Sequence, residues 1–252
     1  MDGSAIQGRG RWRALRGSAR RWLTAEASET QLGLALTFVA GAINAGGFMV
    51  VGHYTSHMSG IVSAMADHAA LGHGGLLLAG LIALLSFMAG AAHSAWLINF
   101  GRRLGWRGRY ALPLLVEAGL LLAFGVMGAL LPTELVAIPV VPLLCFLMGV
   151  QNACITKISG ARMRTTHVTG IVTDLGIEIG KLTYWNADPR SGEARVVADR
   201  AKMRLLAGLL ASFAIGGLAG ALAFARIGLA ACLPLAVVLL VLANAVIRAE
   251  DD

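Results

Sequence analysis

Apolar runs too long for a water-soluble core set the class of this chain. "LLLAGLIALLSFMAGAAHSAWLI" extends from Leu76 to Ile98, and "LLAGLLASFAIGGLAGALAFA" from Leu205 to Ala225. Each exceeds the roughly 20 residues that a helix needs to cross a hydrocarbon core. Backbone in lipid must bond within its own segment, so such runs fold as helices. A transmembrane barrel would read as alternating segments of about ten residues, and these are absent. Only 14% of the residues are charged, where a soluble domain carries about 25%. The expected fold class is an all-α, polytopic membrane helix bundle.

Long helices are expected near 31–52, 76–98, 111–131, 137–157, 204–225 and 228–248. Two shorter, more polar segments lie near 56–73 and 165–181. These segments spell one motif twice, "SHMSGIV" from Ser56 and "THVTGIV" from Thr166. Other landmarks repeat in the same order. "FVAGAINA" at Phe38 matches "FLMGVQNA" at Phe146, "SFMAG" at Ser86 matches "SFAIG" at Ser212, and "LPL" recurs at Leu112 and Leu233. The chain therefore reads as a basic arm over 1–30 and a membrane domain over 31–252, built from repeats at about 31–131 and 137–248.

Charge sets the expected topology. The net charge is +7, and the cations sit in the joints between apolar runs, as in the positive-inside bias. Suppose each short segment enters the membrane and returns on the same side. Each half then has an odd number of crossings, the second half is inverted, and every Lys and Arg except Arg226 lies inside with the N-terminus. If both short segments crossed, the arginine-rich joint 99–110 would fall outside. Six long spans plus two re-entrant or half-helix segments are expected, with eight spans as the alternative. Interrupted helices meeting near the midplane of an inverted repeat are a frequent transporter plan.

The arm "RGRWRALRGSARRWL" carries arginines and an aromatic stripe at helical spacing. It reads equally as an interfacial helix or as a disordered basic arm. A cleaved signal peptide is not expected, because the charged region is long and no cleavage site is clear. "SETQ" at Ser28 has capping-box form.

Polar residues in oily segments are the site candidates. Ser56, Ser59, Ser63 and Asp67 follow helical spacing, and Thr166, Thr169 and Thr173 repeat the hydroxyl positions. They make one polar stripe per half. Facing stripes would bind a polar solute; the plain structural role is close helix packing through small and hydroxyl residues. Asn44 and Asn152 occupy equivalent places, with Gln151 beside the second. They are candidates for solute contact or for interhelical hydrogen bonds. Asp67, Glu117, Asp174 and Glu178 are candidate proton or cation partners, since intramembrane carboxylates are costly and usually functional. For Asp67 and Glu178 the alternative is a place at the interface; for Glu117 it is a protonated carboxyl bonded within the bundle.

Several classes are excluded or disfavoured. Cys145, Cys154 and Cys232 lie in apolar segments and read as small buried hydrophobes. No H-E-x-x-H, P-loop, dinucleotide fingerprint or G-x-S-x-G is present. No metal, cofactor or enzymatic activity is expected. His68 and His73, five residues apart, do not share one helix face. Nucleic acid is not an expected partner; membrane lipids and an unidentified small polar solute are, with homo-oligomerisation left open.

At these same residues the chain resembles a known family. "GAINAGGFMVVGHYTSHMSGIV" and "FLMGVQNACITKISGARMRTTHVTGIVTDLG" are similar to the YoaK-like family of bacterial inner-membrane proteins, a domain of unknown function. That family commonly has Asp-Ala at Asn44-Ala45 and M-T-G-N at Met58 to Ile61. The resemblance implies a multi-pass protein of the bacterial cytoplasmic membrane and supplies no substrate. The expected function is a secondary transporter or channel-like permease for a small polar solute. The rival reading is a non-transporting scaffold or assembly partner.

Overall fold

The computed structural model describes residues 29–106, 108–132, 135, 137–186 and 195–251. The basic arm, with the capping position Ser28, lies outside the described residues apart from 29–30. Regular structure is helical throughout the described residues. Among the described residues, four helices are long and apolar enough to cross a membrane: α1 (Glu29–Val51), α3 (Gly74–Arg103), α4 (Ala111–Leu130) and α5 (Ala137–Ile158). So is the stretch Arg200–Arg248. A 3-10 turn at Gly228–Ala231 divides it into α7 (Arg200–Ile227) and α8 (Cys232–Asp251). The two short helices are α2 (Met58–Ala70) and α6 (Val168–Thr183). At 1.5 Å per residue they reach about 20 and 24 Å, less than the roughly 30 Å of a hydrocarbon core.

Local chemistry sets several boundaries. Sequence periodicity predicts a start near 204 for α7, but the Asp199 carboxylate accepts from the backbone N–H of Ala201 and Lys202, both at 2.9 Å. That N-cap satisfies two otherwise open donors and adds a turn to the helix. At the other end of α1, Gly52 takes φ +70°, a left-handed conformation open mainly to glycine. The chain leaves the helix there and doubles back toward α2.

Glycines decide which helices touch. A methyl on Gly90 would strike the Phe146 carbonyl, and one on Gly149 the Phe87 carbonyl. So α3 and α5 run side by side at backbone contact. The pairing recurs between α1 and α7. A methyl on Gly216 would strike the Phe38 carbonyl, and one on Gly41 the Phe213 carbonyl. Along that seam Gly208 lies by Leu34, and Gly46 by Phe224. The register rises together along both helices, so α1 and α7 are parallel. Ser212 adds a hydroxyl bond of 2.7 Å to the Leu34 carbonyl. Lipid offers no hydrophobic drive between helices, so small residues that admit close approach carry the association.

The remaining contacts complete the bundle. Gly125 meets Cys232 while Gly108 meets Ile247, which makes α4 and α8 antiparallel. Met65 of α2 lies on Gly80 of α3 across a tight turn. Lys202 of α7 reaches Asp174 of α6. Each short helix thus runs back along the long helix that follows it. Leu36, Val39, Ile43, Leu114, Leu121, Phe124, Leu144 and Leu147 form the sealed centre. Leu78, Leu85, Met88, Leu233, Val237 and Val241 are exposed. So many bare apolar side chains would be a liability in water, whereas lipid is their proper solvent.

Candidate functional site

The site begins with two amides. Asn44 lies about two turns before the end of α1 and accepts from the Ser56 hydroxyl at 2.9 Å. Asn152 holds the equivalent place on α5. Its Nδ2 donates to the Thr166 hydroxyl and to the Met148 carbonyl, both at 2.9 Å, and its Oδ1 accepts the Thr166 N–H at 3.3 Å. Each amide therefore latches the segment leading into a short helix back onto the preceding long one. The latch sits about two turns inside the end of α1 and one to two turns inside the end of α5, so α2 and α6 start beside those helices and not beyond their ends.

The repeated histidine and glycine find a shared explanation. His57 and His167 stand at the N-caps of α2 and α6, and neither side chain caps the helix. Instead each ring folds over its own first turn. A methyl on Gly60 would overlap the His57 ring, and one on Gly170 the His167 ring. Histidine followed by glycine three residues on is the requirement for that fold-back. Just before each histidine, Thr55 and Thr165 are buried with hydroxyls that have no partner.

The two latched segments meet across one cavity of about 590 Å³. Asn44 reaches it from α1, Tyr54, Ser56 and His57 from the segment before α2, and Thr166, Val168 and Thr169 from the start of α6. Phe213 and Gly217 of α7 line its other side, and the cavity is open to the surface, where Tyr54, His57 and Thr169 are exposed. No Asp, Glu, Lys or Arg is among the lining residues. The lining offers hydroxyls, an amide and an imidazole, with two helix N-termini nearby. Helix N-termini carry partial positive charge and open N–H groups.

The other candidates fall elsewhere. Ser59, Ser63, Asp67 and Thr173 are exposed, and the Thr173 hydroxyl turns back to the Thr169 carbonyl at 2.9 Å. Of the two expected stripes only Ser56, Thr166 and Thr169 line the cavity, and Thr169 is itself exposed at the rim. Ile61 and Met65 of α2, and Ile171 and Leu175 of α6, take the packed side, which turns the remaining hydroxyls outward. Gln151 is buried and donates to the Leu36 carbonyl at 3.1 Å. It ties α5 to α1 and stands outside the cavity lining. Glu117 is fully buried on α4 beside Gln151, without a bond of hydrogen-bonding geometry.

Asp174 and Glu178 also lie outside the cavity. Asp174 pairs with Lys202 at 3.2 Å. Glu178 pairs with Lys181 at 2.8 Å and accepts the Asp199 N–H at 2.9 Å. The Lys181 hydrogen bond and then the Asp199 N–H hold the Glu178 carboxyl below its usual range. Both acids serve the α6–α7 junction, where a charged N-cap and two lysines converge.

Sequence reasoning left His57, Tyr54, Val168 and Phe213 out of the site. The histidine-glycine spacing was the available signal for the first. The others line the cavity only because α1, α7 and the two latched segments come together. His68 and His73 also meet, with ring centroids 5.8 Å apart across the α2–α3 turn. No metal-holding group of three or more His, Cys, Asp or Glu occurs among the described residues.

A helical membrane protein with two latched short helices beside a mostly apolar cavity that carries a few uncharged polar groups is the class these features define. Residues 32–245 match the family described as "Protein of unknown function (DUF1275)", and the chain belongs to that family. No curated protein and no solved structure matches it.

Proposed function

We propose that this chain is a small permease of the bacterial cytoplasmic membrane, with its N-terminus in the cytoplasm. It is built from two inverted repeats, with six crossings and with α2 and α6 re-entrant. The paired latches, Asn44 with Ser56 and Asn152 with Thr166, support the repeat. So do the glycine seams, in which the first long helix of each half packs on the third element of the other. Such an exchange is what a two-fold relation between halves produces.

One observation carries the functional reading: a single cavity is walled by the latched segments of both halves. The lining is mostly apolar, with a few uncharged polar groups from Asn44, Ser56, His57, Thr166 and Thr169, and suits a small neutral or weakly polar solute. A buried cation would find no carboxylate there to offset its desolvation. Because Asp67, Glu117, Asp174 and Glu178 stand outside that lining, the reading favours channel-like or uniport action over proton coupling. It involves no enzymatic step.

The test is a flux screen in proteoliposomes with small neutral solutes such as urea and glycerol, and with formate and phosphate as anionic comparisons. Wild type is compared with Asn44→Ala, Thr169→Val and Asp174→Asn. Flux that falls in the first two and persists in the third is expected. Flux unchanged by both cavity variants, or no flux from folded protein for any solute, refutes the proposal.

A further inference from the structure

One face of α3 changes character along its length. Leu78 and Leu85 are exposed on it toward the start of the helix. About three turns beyond Leu85 come Trp96, Phe100 and Arg103, whose helical spacing puts them on the same face. All three are exposed. The Trp96 and Phe100 rings stack, with centroids 5.3 Å apart and planes within 8°. Beside them the His93 ring lies 6.2 Å from Trp96 and 5.7 Å from Phe146 of α5. The ladder is thus braced against α5 while Trp96 and Phe100 stay bare.

The end of α3 is cationic. Asn99, Arg102 and Arg103 are exposed. Gly105 takes φ +65°, and the Trp106 N–H returns to the Gly101 carbonyl at 2.9 Å. That turn brings Arg109 against Gly101, with its guanidinium 5.0 Å from the Tyr110 ring centroid. Residues 99–110 hold four arginines and no acid. Among the described residues no ion pair involves Arg102, Arg103 or Arg109. Cations at a helix C-terminus complement its dipole, and a basic joint sets orientation. Neither role calls for stacked aromatic rings leading up to the cations on a lipid-facing side. Aromatic rings favour the headgroup level of a bilayer, and a guanidinium binds phosphate oxygens through paired N–H groups.

We propose that this face of α3 binds an anionic phospholipid, with its phosphate at Asn99, Arg102 and Arg103 and an acyl chain along Phe100 and Trp96. Charge complementarity selects that occupant: arginines free of acidic partners draw an anionic headgroup in preference to a zwitterionic one. The inference rests on the chain lying in a membrane and not on solute transport.

The full-length protein is reconstituted in nanodiscs of mixed phosphatidylcholine and phosphatidylglycerol, with one lipid or the other brominated in its acyl chains to quench tryptophan. Trp96 is kept and the other four tryptophans are changed to phenylalanine. Quenching of Trp96 should show a preference for phosphatidylglycerol of about fivefold or more, the effect of one arginine near an anionic headgroup. Arg102→Gln with Arg103→Gln should bring the ratio close to one. Salt at about 1 M, which screens charges beyond about 3 Å, should weaken it. Leu85→Trp combined with Trp96→Phe reports from the same face away from the arginines and should show no preference. If the single-tryptophan protein misfolds, native mass spectrometry of protein with all its tryptophans should find a retained phosphatidylglycerol that the double arginine variant loses. A ratio near one at Trp96, an equal ratio in the Leu85→Trp variant, or a preference that survives loss of both arginines overturns the proposal. A negative flux screen leaves these outcomes unchanged, so the two proposals fail separately.

Discussion

Replacing each latch amide by leucine removes its hydrogen bonds while roughly keeping its volume. Asn152 makes two bonds to Thr166, one through each end of its amide. Asn44 makes one, to Ser56. A net intramolecular hydrogen bond contributes about 0.5–1.5 kcal/mol, and in membrane bundles the mean is nearer 0.6. Asn152→Leu also strands the Thr166 N–H, which adds about 1 kcal/mol or more. The expected losses are on the order of 2–3 kcal/mol for Asn152→Leu and about 1 for Asn44→Leu. At roughly 2–4 °C per kcal/mol for a chain of this size, the midpoints should separate by several degrees.

The reporter is already in the chain. Cys145, Cys154 and Cys232 are free and buried, so a thiol-reactive fluorophore lights up as the bundle opens. Cys232, which packs from α8 on Gly125 of α4, is used alone with the others changed to alanine, since Cys145 and Cys154 share α5 with Asn152. Equal midpoints for the two leucine variants, or a larger loss for Asn44→Leu, would refute the reasoning that latch strength follows the bonds seen.

Other expectations follow from the same geometry. Gly90→Ala and Gly216→Ala each push a methyl against backbone that cannot yield, and should cost about 1–3 kcal/mol or more by the same thiol assay. Gly119→Ala, where nothing lies within 4 Å, should cost nothing. Cysteines placed singly at His53 and Leu71 should both react with an impermeant maleimide from outside. Those placed at Arg164 and Thr183 should both react from inside; labelling of one helix's two ends from opposite sides means a full crossing. Because the folded Glu178 carboxyl is held below its usual range, its contribution is full above the ordinary value of about 4.3. It is lost as pH falls through the lower folded value. Thermal scans from neutral to acid pH should therefore show a steeper acid loss for wild type than for Glu178→Gln.

Much of the fold could be read from residue order because lipid imposes a simple rule on backbone. A run such as Leu76–Ile98 has to be a helix, and α3 extends it at both ends. The short polar helices were legible for the opposite reason: too few apolar residues to span, and hydroxyls that lipid penalises. The site was less legible. Ser56 and Ser63 look alike in a helical stripe, yet Ser56 bonds to Asn44 and Ser63 is exposed. Periodicity says which residues share a face. It does not say which face a neighbouring helix will cover.

The amino-acid order alone determined a helical chain with runs apolar enough to cross a membrane, and it set Asn44 and Asn152 at matching places in a motif spelled twice. Those follow from hydropathy and spacing, which act along the chain. Tertiary structure decided that Glu178 and Asp174 serve a junction with Lys181 and Lys202, that Asn44 and Thr169 share a cavity wall, and that Thr173 does not. These are contacts between segments far apart in sequence. They depend on how closely glycine lets two helices approach, which no one-dimensional pattern records.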